Sequence, residues 1–268
     1  MTDQIFYSQV EWAIGLGLFL GLMLAAEGGF RLGGWRRNRI GDAAKSQTTT
    51  VQGAVLGLMG LLAGFSLAMA VGRFDARRQL VVEESNAIGT CYLRTSLLPE
   101  PYAEETAGQL RAYLDERIEY SVTIRDQTKA VAAQNEARRL LNGLWRKAAE
   151  ASEAAPTVMT ALFVESLNEV IDVEAKRSQA MNSHVPLAVM VMLFVSAAFS
   201  ALFIGYMYGD AGQRNLFATA VATALFSLVI MIIIDLDHPR AGLVKLSQKG
   251  LIELREGLDP PTGESPNP

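Results

Sequence analysis

The sequence predicts an all-α polytopic membrane protein with four transmembrane helices and a helical extramembrane domain inserted between the second and third. Three observations predict it. Half of the 268 residues are apolar and only 19% are charged, and the apolar ones gather in charge-free runs of the roughly 20 residues that a membrane helix needs. Between the second and third runs lies a charged segment, 73–184, with 14 Lys/Arg and 17 Asp/Glu. Within that segment apolar residues recur at steps of three and four, and no stretch alternates with period two, so helices and no sheet are expected. An ordinary soluble domain and a disordered chain are both excluded.

The first span is the shortest, 12–26, only 15 residues. It extends back to Ile5 if Glu11 sits at an interface, where Tyr7 and Trp12 suit an aromatic belt. The start Met-Thr-Asp-Gln carries no basic region, so no cleaved signal peptide is expected. A basic loop, 28–50, leads to the second span, 51–72, which closes the first transmembrane pair (1–72). In the insert, a helix from Phe74 ends before Pro99 and Pro101. Helices follow over about 102–128, with Leu110, Leu114 and Ile118 in register, and over about 131–151, with Leu140, Leu141, Leu144 and Trp145. Another starts after Pro156, with Met159, Leu162, Phe163, Leu167, Val170 and Ile171 on one stripe. The second pair occupies 185–234. The remainder, 235–268, reads as an amphipathic segment with Leu243, Leu246, Leu251, Ile252 and Leu254, then a disordered tail holding four prolines.

Four crossings place both termini and the insert on one side of the membrane. Loop 28–50 carries Arg31, Arg36, Arg37, Arg39 and Lys45 against one acid, so the positive-inside rule leans toward a periplasmic insert. The flanks of the insert and the tail are also basic, with Arg73, Arg77, Arg78, Lys176, Arg177 and Arg240 among them, and a raw count leaves the opposite orientation open.

Three stretches are candidates for chemistry. In the second span Gly53, Gly57, Gly60, Gly64, Ala68 and Gly72 share a helix face that would let another helix approach closely. About a quarter turn away, Leu61, Phe65 and Met69 repeat at i+4, and in a ring of subunits they would form an apolar constriction. Both faces are equally compatible with plain packing or lipid exposure. Beyond the span come Arg73, Asp75, Arg77 and Arg78, then Glu83 and Glu84. They read as a pore-mouth charge ring or an ion-pair network, with Asp75 and Arg78 at i, i+3 and neighbouring subunits needed to bring the glutamates to Arg77 and Arg78. The bland alternative is arginines meeting lipid headgroups. At the end of the fourth span Asp235, Asp237, His238 and Arg240 form a membrane-boundary cluster, a cation or proton site or simply a solvated helix end.

Enzymatic readings lack their parts. Cys91 is the only cysteine and His184 and His238 the only histidines, too few for the common zinc sites. Ser66 has no base within the spans, and no phosphate-binding glycine loop is present. No metal or other cofactor is expected, and a net charge of −4 gives no footprint for nucleic acid. Only Glu11 and Glu27 are ionisable within the spans, which disfavours a proton-coupled transporter.

Several stretches together resemble a known family. They are Gly64-Phe65-Ser66-Leu67-Ala68, the block from Arg73 to Thr90, Tyr92-Leu93-Arg94, Leu97-Leu98-Pro99-Glu100-Pro101, and Asp235-Leu236-Asp237-His238-Pro239-Arg240-Ala241-Gly242. The chain is similar, over nearly its whole length, to the bestrophin-like family of bacterial membrane proteins. Where that family usually has Asp-Arg-Pro-Phe-Ser-Gly, this chain has Asp237-His238-Pro239-Arg240-Ala241-Gly242. The bestrophins proper are a more remote likeness. They are pentameric channels, mostly for anions, with four spans per subunit, a neck on the second span and a cytoplasmic helical insert. The resemblance implies a homo-oligomeric channel, a pentamer, in the bacterial plasma membrane, with lipid, inorganic ions and its own copies as partners. A non-conducting scaffold or sensor whose insert binds a partner is the alternative.

Overall fold

The computed structural model describes residues 2–37, 42–123, 126–237 and 246–258; for 2–11, 42–46, 122 and 127 it describes the backbone alone. Among these residues there are eight helices and no strand. They are α1 (Thr2–Arg36), α2 (Asp42–Thr95), α3 (Tyr102–Val122), α4 (Gln127–Ala154), α5 (Val158–Met181), α6 (Leu187–Ala211), α7 (Leu216–Asp237) and α8 (Lys249–Leu258). Four of them, α1, α2, α6 and α7, are long and apolar enough to cross a membrane. The helix α2 has 54 residues, about 80 Å at 1.5 Å per residue and more than twice the hydrocarbon thickness of a bilayer. Its charge-free part, 51–72, is what a bilayer can hold.

The chain divides into two compact units. The first comprises residues 1–74 and 184–245. Its core joins Leu22 and Ala26 of α1, Met59 and Ala70 of α2, Leu193, Ala197 and Ala201 of α6, and Ile230 and Ile233 of α7. The pairing of α1 with α6 is closer than side chains allow. A methyl group added at Gly29 would overlap the Leu202 carbonyl, and one at Gly33 the Tyr206 carbonyl. Added at Gly205 or Gly209, it would overlap the Ala26 or Phe30 carbonyl. Each helix thus offers a glycine pair four residues apart, and the two backbones touch. In lipid, where helices gain little from apolar burial against one another, such contact is the main source of association.

This contact corrects the expected end of the first span. The apolar runs alone leave 28–50 as a basic loop, yet α1 continues to Arg36 and α2 begins at Asp42. A glycine in a helix costs up to about 1 kcal/mol relative to alanine, and the close approach to α6 offsets that cost at Gly29 and Gly33. Of the loop's basic residues, Arg31 and Arg36 are helical, while Arg39 lies outside the described residues and only the backbone of Lys45 is described. The short connection from α6 to α7 turns at Gly212, whose φ of 67° is left-handed and accessible to glycine at little cost.

The second unit comprises residues 75–183 and 246–268. Ile88 and Cys91 of α2, Leu110, Tyr113 and Leu114 of α3, Leu144 of α4, Phe163, Leu167 and Val170 of α5, and Leu251 of α8 fill its core. The boundaries follow local chemistry. The Asp126 carboxylate accepts from the amides of Thr128 and Lys129 at the start of α4, and the Thr157 hydroxyl accepts from the amide of Thr160 at the start of α5. The helix α2 ends at Thr95, four residues before Pro99. The proline-bearing tail, 259–268, lies outside the described residues.

Replacement of Gly205 by alanine should destabilise the protein by about 1–3 kcal/mol, the usual cost of forcing extra volume into a packed contact. The check is the thermal midpoint in detergent. Gly17→Ala serves as control, because a methyl at Gly17 meets nothing within 4 Å, and its midpoint should not fall.

Candidate functional site

In the first unit, α2 turns one stripe inward and leaves the rest uncovered. Met59, Ser66 and Ala70 are buried, and the Ser196 hydroxyl donates to the Met59 sulfur at 3.2 Å. On the far side Leu61 is 56% exposed, Phe65 64% and Met69 37%. Gly53, Gly57, Gly60, Gly64, Ala68 and Gly72 are exposed as well, and an added methyl at any of the five glycines meets nothing within 4 Å. The two candidate faces together therefore form one broad apolar surface that none of the described residues covers. Gly29, Gly33, Gly205 and Gly209 are the glycines that pack directly against another helix's backbone among the described residues. Their sequence signal is two glycine pairs spaced by four, the first of which falls in the expected loop 28–50.

The charged stretch after the span does not act as one group. Arg77 is only 1% exposed. Its Nε donates to the Ala180 carbonyl at 3.0 Å and its Nη2 to the Ser183 carbonyl at 2.6 Å. It therefore caps the C-terminal end of α5, where carbonyl groups lack helical partners. Asp75 and Arg78 are exposed and form no ion pair with each other. Glu83 lines a cavity of about 440 Å³ together with Asn86, Thr90, Arg94, Glu165 and Glu169. Arg73 is half-buried in the first unit.

Glu84 is fully buried and meets arginines of its own chain rather than those of a neighbour. Its Oε1 accepts from Arg117 Nε at 2.6 Å and its Oε2 from Arg177 Nη1. Arg177 Nη2 also donates to the Ser121 hydroxyl at 3.2 Å and to Gln248 Oε1 at 2.9 Å. Arg117 Nη1 lies 3.8 Å from Glu174, and its guanidinium stands over the Tyr120 ring. Glu84 lies twelve residues past the end of the charge-free stretch. Burial alone pushes its carboxyl up, but the charges and hydrogen bonds of Arg117 and Arg177 outweigh it and hold the pKa below the usual 4.5. Burial likewise opposes the charge on Arg117, and Glu84 outweighs it and raises that pKa. Arg117 and Arg177 were missed in the sequence because they lie far from Glu84 along the chain. Each nonetheless falls in the register of an apolar stripe, with Leu110, Tyr113 and Leu114 on α3 and with Phe163, Leu167, Val170 and Val173 on α5. A charge in such a register needs a buried partner.

At the end of α7, Asp237 is buried. Its Oδ1 accepts from the Val185 amide at 2.8 Å, and its Oδ2 lies 3.4 Å from His184 Nδ1. The carboxylate thus serves the strand of chain that leads into α6. Asp235 is half-buried. His238 and Arg240, the other members expected in this cluster, lie outside the described residues.

Glu84→Gln leaves two buried guanidinium groups without their full counter-charge and should cost about 3–5 kcal/mol, read as a fall in thermal midpoint at neutral pH. The sign of the pH dependence follows from the lowered pKa. The carboxylate's stabilisation is complete above the unfolded value near 4.5 and is lost as pH falls through the folded value. Acid should therefore erode the difference between the original protein and Glu84→Gln.

Comparison with known proteins adds the family. The bestrophin-like domain matches residues 21–251. No curated protein matches the chain. Among solved structures, that of a bacterial bestrophin homologue from Klebsiella pneumoniae superposes with a TM-score of 0.61 at 14% identity, covering 91% of this chain and 96% of that one. A variant of the Klebsiella pneumoniae homologue gives 0.64 at 15% identity, covering 91% and 97%. At these identities the likeness is one of fold. With the family's domain spanning most of its length, the chain belongs to the bestrophin-like family.

Proposed function

We propose that the protein is one subunit of an oligomeric ion channel of the bacterial plasma membrane, its pore lined by the second membrane span. The observation that carries this reading is the outward surface of α2, where Leu61, Phe65 and Met69 stand exposed in a row that nothing in the subunit covers. Membership of a family related to channels supports the same reading. In a ring, these three side chains form the apolar neck, which passes or blocks ions according to whether it is wet. The small face of Gly53, Gly57, Gly60 and Gly64 then takes the adjacent helix. By the bestrophin likeness the ring is a pentamer.

For orientation, the family relation favours a cytoplasmic insert. The opposing count over loop 28–50 is offset by the basic residues that flank the insert and the tail, Arg73, Arg77, Arg78, Lys176, Arg177 and Arg240 among them. The assignment is readily tested, since the lone native thiol is silent. Cys91 is buried, and burial pushes its thiol up to about 11. Ala132 is exposed on α4. In Ala132→Cys, a membrane-impermeant maleimide should label only after the inner membrane is opened; labelling of intact spheroplasts would place the insert outside.

Purified protein in planar bilayers should conduct, and Phe65→Ala should change the conductance several-fold while leaving the oligomer's elution unaltered. A folded oligomer that stays electrically silent would favour the scaffold reading, and a monomeric particle in detergent would remove the central pore.

A further inference from the structure

The end of the first unit built from the last turn of α1 and the α6–α7 turn carries more positive charge than it neutralises. Arg31, Arg36, Arg37 and Arg214 gather there against Glu27 and Asp210, a balance of +2 (4 − 2) among the described side chains. Glu27 is shared between Arg31 and Arg214. Arg36 and Arg37 are exposed, and neither has an acidic partner among the described residues. The Arg37 guanidinium lies against Gly212, where an added methyl would overlap it, and Arg214 stands over the Phe30 ring, 5.1 Å from its centre. The two turns thus form one basic patch.

The depth of this patch follows from the tryptophans of α1. Trp12 is 64% exposed and Trp35 67%. The 23 residue steps from one to the other measure about 35 Å along a helix, the separation of the two interfaces of a bilayer. Tryptophan favours those interfaces. Trp35 therefore sits at one of them, which puts Arg36 and Arg37 in the headgroup layer.

We infer that this patch binds the headgroup of an anionic phospholipid, with Arg36 and Arg37 as its principal contacts. Guanidinium groups match phosphate oxygens in charge and geometry, and a lipid presents its phosphate at the depth where these two stand. A zwitterionic lipid offers the same phosphate but cancels its charge, so the patch discriminates between the two.

The full chain carrying Trp12→Phe and Trp145→Phe, with Trp35 as its only tryptophan, would be reconstituted into vesicles of phosphatidylcholine and phosphatidylglycerol in equal parts. Either lipid would be supplied with brominated chains, which quench a neighbouring tryptophan. Brominated phosphatidylglycerol should quench Trp35 several-fold more than its share of the lipid. Arg36→Gln/Arg37→Gln, checked for unchanged helicity and elution, should bring the quenching down to the lipid composition. So should salt at about 0.5 M in the protein with both arginines, which shortens the Debye length to about 4 Å and weakens the attraction of the patch for anionic headgroups. Quenching that matches the composition from the outset overturns the inference, as does a preference that survives both the double substitution and the salt. A preference abolished by inorganic phosphate at the headgroup concentration, at matched ionic strength, also overturns it and assigns the patch to the free anion.

Discussion

A carboxylate cut off from water must be given its counter-charges by the fold, and in the second unit Glu84 imposes that condition on everything around it. Its two oxygens take one arginine each, Arg117 from α3 and Arg177 from α5, and Arg177 reaches on to Gln248 just ahead of α8. Charges with no exposure lose their hydration, and the arrangement is tolerable only if every partner is in place at once. The apolar core of Ile88, Leu114, Phe163 and Leu167 would accept many similar packings. The ion set accepts one, because a helix slipped by a turn would strand a buried charge. Arg77 adds a second condition of the same kind by holding the carbonyls at the end of α5.

The first unit is organised by a different force. Between α1 and α6 there is backbone against backbone, at four glycines. Lipid competes with side chains for apolar contact but cannot enter where two backbones already touch. The pair is therefore held by shape rather than by hydrophobicity. The second span is held differently. It buries Met59, Ser66 and Ala70 and leaves its bulkier residues, Leu61 and Phe65, exposed. The other spans likewise expose Leu20, Phe199 and Phe217, as suits lipid, and the channel proposal assigns the outward face of α2 to neighbouring copies and a central pore.

Much of the architecture was legible in the sequence, because bilayer thickness and helical periodicity act locally. The four spans, the helical character of the insert and the start of α5 after Pro156 come from residue spacing alone. The candidate site was legible in part. Glu84 is singled out with Glu83 in the charged stretch after the second span, yet its partners lie on α3 and α5, and a pairing across such separations has no local trace. The true end of α1 had no local trace for a related reason. Gly28-Gly29 and Gly33-Gly34 break isolated helices, and only the carbonyls of α6 show why the helix continues through them.

What the sequence by itself determined is therefore the material of each segment: which stretches belong in lipid, which in water, which wind as helices, and that the whole resembles the bestrophin-like family. These depend on composition and on steps of three and four, and they survive any rearrangement of the segments. The tertiary structure decided which small residues touch, which arginines a buried glutamate holds, and which face of α2 is left open. Those are choices among several faces of equal local merit, and they are settled only where close approach and charge burial make one combination far cheaper than the rest.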